Sequence, residues 1–295
     1  MTKQPDSRRQ FLRTAGLGAM SLAGAAIGHG EASAQQDVAR QKATPPADGR
    51  ALKLGFASYQ FKEFDLDQSL AMTRRLGVKF LCLKSFHLPL DSSPEEIAGR
   101  IEKIRQAGIT AYGGGVITMS KPAEVDQAFA YAKAAGFRLI TANPTPEMLP
   151  LVAEKAVQSG IQVAIHNHGP EDKLYPTPAS IYEKIQGLDR RVGICLDTGH
   201  TQRTGTDPSA AAAACADRLL DIHLKDVVAA TPNAAEIELG RGIVDVPTFL
   251  RTLMQIGYQG VISLEHEKDM KDPLPGIAES VGYARGVWAA LQAKG

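Results

Sequence analysis

Four side chains able to hold a metal ion recur at one kind of position. His166, Asp197, His223 and Glu265 stand at, or one residue before, the end of a short β-rich run: Ile161–His166, Val192–Asp197, Leu219–Leu224 and Gly260–Glu265. Side chains alternate along a strand, so residues two apart share a face. With Ile161, Val163 and Ile165 on one face of the first run, Gln162, Ala164 and His166 take the other, and His168 continues it. By the same alternation Val192, Ile194 and Leu196 oppose Gly193, Cys195 and Asp197. Leu220, Ile222 and Leu224 oppose Asp221, His223 and Lys225, while Ile262 and Leu264 oppose Ser263, Glu265 and Glu267. Two imidazoles and two carboxylates of one parity on four successive runs form a nitrogen-and-oxygen site for one divalent ion. Mn2+ or Zn2+ suits it first, and Co2+, Fe2+ or Mg2+ next. Of the seven histidines, His29 lies near the N-terminus, and His87, His166, His168, His200, His223 and His266 all fall at or just after the end of a run. Packing alone would scatter them through helices as well.

Such a site requires strands that converge at one end. From Leu52 onward β-rich runs alternate with amphipathic stretches; the first four runs are Leu52–Ala57, Val78–Lys84, Ile109–Gly113 and Phe137–Ala142. Asp65, Ser93, Thr145 and Thr177 are placed to cap the intervening helices, and Gly77, Gly108, Gly136, Gly160 and Gly257 to end them. Eight units of about 30 residues each match the strand-helix repeat, and eight parallel strands of this length close into a (β/α)8 TIM barrel, one α/β domain over 52–295. An open doubly wound sheet would need a glycine-rich phosphate turn after its first strand. Gly55-Phe56-Ala57-Ser58 is not one.

In a barrel one strand face meets the outer helices and the other the lumen, and active sites form at the strands' C-terminal ends. Leu81 and Leu83 then face helices, leaving Cys82 and Lys84 inward. His266 has helix-facing parity and is expected to be structural. His87 sits in a loop and its parity does not assign it.

The 33 Lys and Arg residues nearly balance the 32 Asp and Glu, for a net charge of +1, which offers nucleic acid no electrostatic footprint. No apolar run reaches the roughly 18 residues of a membrane-spanning helix, so no stable membrane insertion is expected once the leader is removed. Three cysteines, Cys82, Cys195 and Cys215, are too few for a disulfide scaffold and read as buried thiols.

The first 34 residues are set apart. Ser7-Arg8-Arg9-Gln10-Phe11-Leu12-Arg13 resembles a twin-arginine export signal, the Gly/Ala-rich stretch Ala15 to Ile27 follows it, and Ala32-Ser33-Ala34 fits a cleavage site. Residues 1–34 therefore read as a leader for the twin-arginine translocation machinery, 35–51 as a linker, and the mature protein as periplasmic or otherwise exported. That route carries folded proteins, which suits a bound metal and reduced core thiols.

The runs Ile194-Cys195-Leu196-Asp197-Thr198-Gly199-His200, Asp221-Ile222-His223-Leu224-Lys225-Asp226 and Ile262-Ser263-Leu264-Glu265 resemble the xylose isomerase-like TIM barrels. That superfamily holds sugar and sugar-phosphate isomerases and epimerases together with the apurinic endonuclease family 2. In its ketose epimerases a divalent metal is held by Glu, Asp, His and Glu on strands five to eight, and the two Glu residues exchange protons on opposite faces of the substrate. The resemblance puts Asp197, His223 and Glu265 in three of these places, and His200 near the substrate. It departs at the fifth strand, where the family commonly reads Glu-Asn-His-Gly and this chain reads His166-Asn167-His168-Gly169. A metal-bound imidazole cannot act as the missing carboxylate base. Lys84, His168 and His200, with Glu171 and Lys225, are the inward candidates for the second proton-transfer or substrate-binding group. The loop Leu239-Gly240-Arg241-Gly242 resembles the family's Gly-x-Gly turn and offers Arg241 to an anionic or hydroxylated substrate group.

The resemblance implies an isomerase or epimerase working through an enediolate on a neutral or oxidised sugar, with Glu265 as first proton-transfer group. A lyase or hydrolase of oxidised glycosides using the same site is the alternative, and a non-enzymatic exported carbohydrate-binding barrel a third reading. A small carbohydrate is the expected partner, with self-association compatible. Export is tested directly: replacing Arg8 and Arg9 by Lys is expected to leave precursor, leader attached, in the cytoplasm. Periplasmic delivery of that variant, read by cell fractionation, would remove the export reading.

Overall fold

Buried aliphatic side chains alternate with lumen-facing ones along eight strands in the computed structural model, which describes residues 51–293. The leader 1–34, and the linker 35–51 except Ala51, lie outside the described residues. The strands are Leu54–Ala57, Phe80–Leu83, Thr110–Met119, Leu139–Pro144, Gln162–His166, Val192–Asp197, Leu219–Leu224 and Ile262–Leu264. Each pairs in parallel with its neighbours in sequence, and the first pairs with the last, closing the barrel. Val163, Ile165, Ile194, Leu196, Ile222, Leu224, Ile262 and Leu264 are all buried in one apolar shell with the helices outside. Among the described residues no helix is long and apolar enough to cross a membrane.

The helices form where the local chemistry favours them. Val246–Gln255 buries Val246, Phe249, Leu250 and Leu253, an i, i+3, i+4, i+7 stripe that seats it on the barrel. Asp65, Ser93 and Thr177 each accept a hydrogen bond from the backbone three residues on, and Gln68, Glu96 and Ser180 return one, so three helix starts carry capping boxes. Thr145 behaves differently. It precedes a 3-10 turn, Pro146–Met148, and its side chain makes no capping bond. Gly136 and Gly160 end their helices at φ of +67° and +73°, a left-handed conformation that a Cβ disfavours.

The strands of 192–197 and 219–224 have the expected bounds; the other six differ, and two of these differences bear on the site. The third runs on to Met119, because Gly113-Gly114-Gly115 lacks the side chains whose alternation marks a strand. The eighth stops at Leu264, leaving Glu265 just beyond it. One parity assignment is corrected: Leu220, expected to face helices, packs on the lumen residues Leu139, Ala164 and Cys195. A register shift sets Ile194 opposite Leu219 but Cys195 opposite Asp221. Leu220 is the extra residue there, and it fills the space beside Gly193, where a Cβ would come within 2.6 Å of it. Cys82, Cys195 and Cys215 are buried and unbridged.

After the seventh strand, Asp226–Val227 pairs antiparallel with Glu236–Ile237, a small ladder that strand periodicity did not reveal. Asp226 organises the loop. Its fully buried carboxyl accepts backbone N–H bonds from Val227 and Val244 on one oxygen and from Gly240 and Gly242 on the other, at 2.9–3.0 Å. Orphaning a buried donor costs on the order of 1–3 kcal/mol. Asp226→Ala is therefore expected to lower stability in urea denaturation by about 3 kcal/mol or more. A loss within the ordinary surface range of about 0.5 kcal/mol would show that this carboxyl does not hold the loop.

Candidate metal centre

Strand register brings four donors to one end of the lumen. His166 lies beside Cys195, Asp197 beside His223, and His223 beside Ser263, two residues before Glu265. One ligand-type atom from each of His166, Asp197, His223 and Glu265 falls within 4.8 Å of the others, and all four residues are buried. His166 Nε2 stands 2.9 Å from His223 Nδ1 and 3.5 Å from Asp197 Oδ2; His223 Nδ1 stands 3.0 Å from Glu265 Oε2. Asp197 carries two duties. Its Oδ1 accepts the His200 backbone N–H at 2.8 Å, capping the short helix Thr198–Arg203, while its buried Oδ2 has no hydrogen-bond partner. Asn167 fixes the neighbouring backbone, accepting from Asp197 N at 3.0 Å and donating to Thr201 Oγ1 at 3.1 Å.

An unpartnered carboxylate oxygen facing two imidazole nitrogens is what a cation would satisfy, and burial without one is unfavourable. The donor set fits a divalent ion, whose charge the two carboxylates would balance. Burial holds the His166 pKa well below the usual imidazole value, the neutral form a ligand needs. Burial alone would raise Glu265; His223, Lys225 and Lys84 outweigh it and hold the carboxylate well below its ordinary range. Lys84 Nζ lies 2.7 Å from Glu265 Oε1, and Lys225 Nζ lies 3.1 Å from Oε2 and 3.5 Å from Asp197 Oδ2 while donating to Glu267. Below the cluster, Asp221 accepts from Tyr112 at 3.1 Å and Thr141 at 3.3 Å, so the lumen floor is hydrogen-bonded.

The cluster opens into a pocket of about 350 Å³ lined in part by Tyr59, Lys84, Phe86, His168, His200 and Lys225. His168, tilted, and His200, edge-on, pack around His166, with ring centroids 4.4 and 5.9 Å from it. His168 Nδ1 lies 3.2 Å from Asp172 Oδ2, and Asp172 is fixed by accepting N–H bonds from Leu174 and Tyr175. Burial lowers the His168 pKa and lowers that of His200 to about 4.

Two expected substrate contacts are not brought to the pocket. Arg241 turns outward and pairs with Glu279 on the helix Leu274–Gln292, at 2.5 and 2.6 Å, because the positive-φ turn at Gly240 and the Asp226 bonds direct that loop away. Glu171 is exposed on the turn after strand five, and the next residue, Asp172, is the one that turns back to His168. Lys225 does line the pocket, where it is almost fully buried as the counter-charge of the surrounding carboxylates. His266 is not one of the four donors, its backbone N–H donates to Gln60 Oε1, and the His87 ring is locked by Ser58, Ser69 and the Phe64 carbonyl. Glu236, not anticipated, accepts the Glu267 N–H at 3.0 Å. Burial, with Glu267 nearby and against Lys225, pushes its pKa up to about 8. No local sequence pattern marks it, since its place depends on the small ladder. Asp172 did carry a signal, standing four residues after His168 in a Gly-Pro turn.

The chain belongs to the xylose isomerase-like TIM barrel family, whose model matches residues 49–287. It is 30% identical over 149 residues to the rhizopine catabolism protein MocC of Rhizobium meliloti, covering 45% of this chain and 44% of that protein. To inosose dehydratase of Lacticaseibacillus casei it is 27% identical over 137 residues, 41% of this chain and 45% of the other. The matched stretch thus spans less than half the length of these curated relatives. A solved L-ribulose 3-epimerase superposes with a TM-score of 0.66 over 82% of this chain and 96% of that one, at 18% identity, a likeness of fold.

If the four donors form one shell, replacing any one of them by Ala is expected to remove most bound metal, read by elemental analysis of the purified protein. Double substitutions should add little further loss, because one shell fails as a unit. Circular dichroism should show the barrel retained, and His266→Ala should keep its metal. Full metal stoichiometry in Asp197→Ala would sink the site.

Proposed function

We propose that this family member is an exported, divalent-metal-dependent sugar isomerase or epimerase, acting through an enediolate on a neutral or oxidised sugar. The observation that carries this is the convergence of His166, Asp197, His223 and Glu265, with an unpartnered Asp197 oxygen, on the floor of a pocket at the strands' C-terminal ends. A bound divalent ion supplies Lewis-acid stabilisation of the negative charge that develops on a sugar carbonyl. The names of the relatives, a dehydratase of a keto-cyclitol and a ketose epimerase, support chemistry that begins at the carbon beside a carbonyl.

The side chains divide the proton transfers unevenly. His168, neutral and with the Asp172 carboxylate 3.2 Å from its Nδ1, is the base that takes the proton from carbon. Glu265 is held between two ammonium groups, so Lys84 and Lys225 present acid, not base, around it. That replaces the symmetrical pair of Glu bases the family resemblance implies. The asymmetry also favours a second reading, elimination from an oxidised glycoside, since an acid facing a base can protonate a departing oxygen. The metal-binding shell and the first proton abstraction are common to both readings.

Incubation of metal-loaded protein with aldo- and keto-sugars in D2O is expected to place deuterium in recovered, unreacted sugar. His168→Gln should slow that exchange by about 10²-fold or more, the usual worth of a positioned base. Release of an aglycone would select elimination. Sugar binding without any exchange across the panel would instead make the protein a carbohydrate-binding barrel.

A further inference from the structure

A second compartment of about 390 Å³ adjoins the pocket over the cluster. It lies between the upper ends of strands two and three and the helix Pro122–Ala135, and it shares Ser85 and Val116 with the first pocket. Leu83, Ile117 and Tyr131 form its base, yet its rim is polar, with Thr118, Ser120 and Gln127 exposed. Glu124 Oε2 accepts the Ser120 backbone N–H at 2.7 Å, which sets a fixed acceptor on the same rim. The common wall is low, since Ser85 is small and exposed. Next to it Phe86 is 42% exposed, with its ring 6.1 Å from that of Tyr59. The two rings make an aromatic ledge on the first pocket. The negative face of an aromatic ring attracts the positively polarised C–H bonds of a pyranose.

Each compartment alone lies at the small end for a ligand site, and nothing in the reaction of a free monosaccharide uses the second. We propose that the second compartment is a sugar subsite, so that the substrate is a disaccharide-type glycoside: the reacting ring over the cluster, the linking oxygen over Ser85, and the second ring in the groove. The inference rests on the proposed reaction for which ring reacts. The polar rim selects a hydroxyl-bearing second ring over an aromatic aglycone, because its hydroxyl and amide groups would lose hydrogen bonds to water against an apolar one. Phe86 packs against the first ring and ends where the groove begins.

The test is titration calorimetry of the metal-loaded mature protein with glucose, maltose, cellobiose and phenyl β-glucoside. At least one disaccharide is expected to bind about tenfold or more tightly than glucose. Thr118→Trp and Gln127→Trp place bulk in the groove from the strand side and the helix side, both at exposed positions, and each should bring that ratio near one. Equal affinities for glucose and both disaccharides, or a preference untouched by both variants, overturns the subsite. Stronger binding of phenyl β-glucoside than of either disaccharide overturns its assignment to a sugar ring. Deuterium exchange on the same preparation reports separately on the reaction. Exchange without a disaccharide preference defeats the subsite alone, and a preference without exchange supports the subsite while defeating the reaction.

Discussion

Two carboxylates buried at the top of the lumen, Asp197 and Glu265, require positive charge close by, and that requirement organises the site around them. Desolvating a carboxylate is unfavourable by several kcal/mol unless a cation or hydrogen-bond donors compensate. Lys84 and Lys225 supply part of the compensation, each inward on its own strand end, and Glu267 and Glu236 in turn hold Lys225 in an acidic surround. Asp197 Oδ2, with the Lys225 ammonium no nearer than 3.5 Å and no hydrogen bond of its own, marks where compensation by side chains is weakest. A divalent ion there would complete the charge balance, and the pocket above would then present histidine and ammonium groups to a ligand.

The fold and the four donors were legible in the sequence because both depend on one regularity, the two-residue alternation along parallel strands. Wherever that alternation is unbroken, as from Ile161 to His166 or from Val192 to Asp197, parity alone places each side chain. It fails where the register shifts. Leu220 is the extra residue of a bulge, and the glycines of the third strand carry no side chain to count. Loops were least legible. Arg241 and Glu171 have suitable chemistry but are directed by turn geometry, whereas Glu236 is delivered to the site by a two-residue ladder in which it pairs with Val227, nine positions earlier. Such placement depends on long-range pairing that no local pattern encodes.

The runs that carry the resemblance to sugar epimerases end strands six to eight, and the departure from it falls on strand five. His166 stands where the family commonly has a carboxylate, and two residues later His168 stands against Asp172. A carboxylate is thus present on the turn after strand five, four residues beyond a histidine instead of directly at the cluster. Four ligand-type side chains still converge at the cluster, two of them imidazoles.

Asp197 binds two parts of the molecule at once, with one oxygen on a helix N-terminus and the other toward the cluster. A longer or differently branched side chain there could not serve both, since the capping distance and the reach to His166 are set by the same two bonds. His166 has no such second obligation: its Nδ1 makes no hydrogen bond and its ring has only the cluster to serve. Of the four positions, strand five is therefore the one at which evolution could exchange ligand chemistry without dismantling a helix. That position is the most permissive of the four, and it is the one at which this chain carries an imidazole, His166, where the sequence resemblance would place a carboxylate.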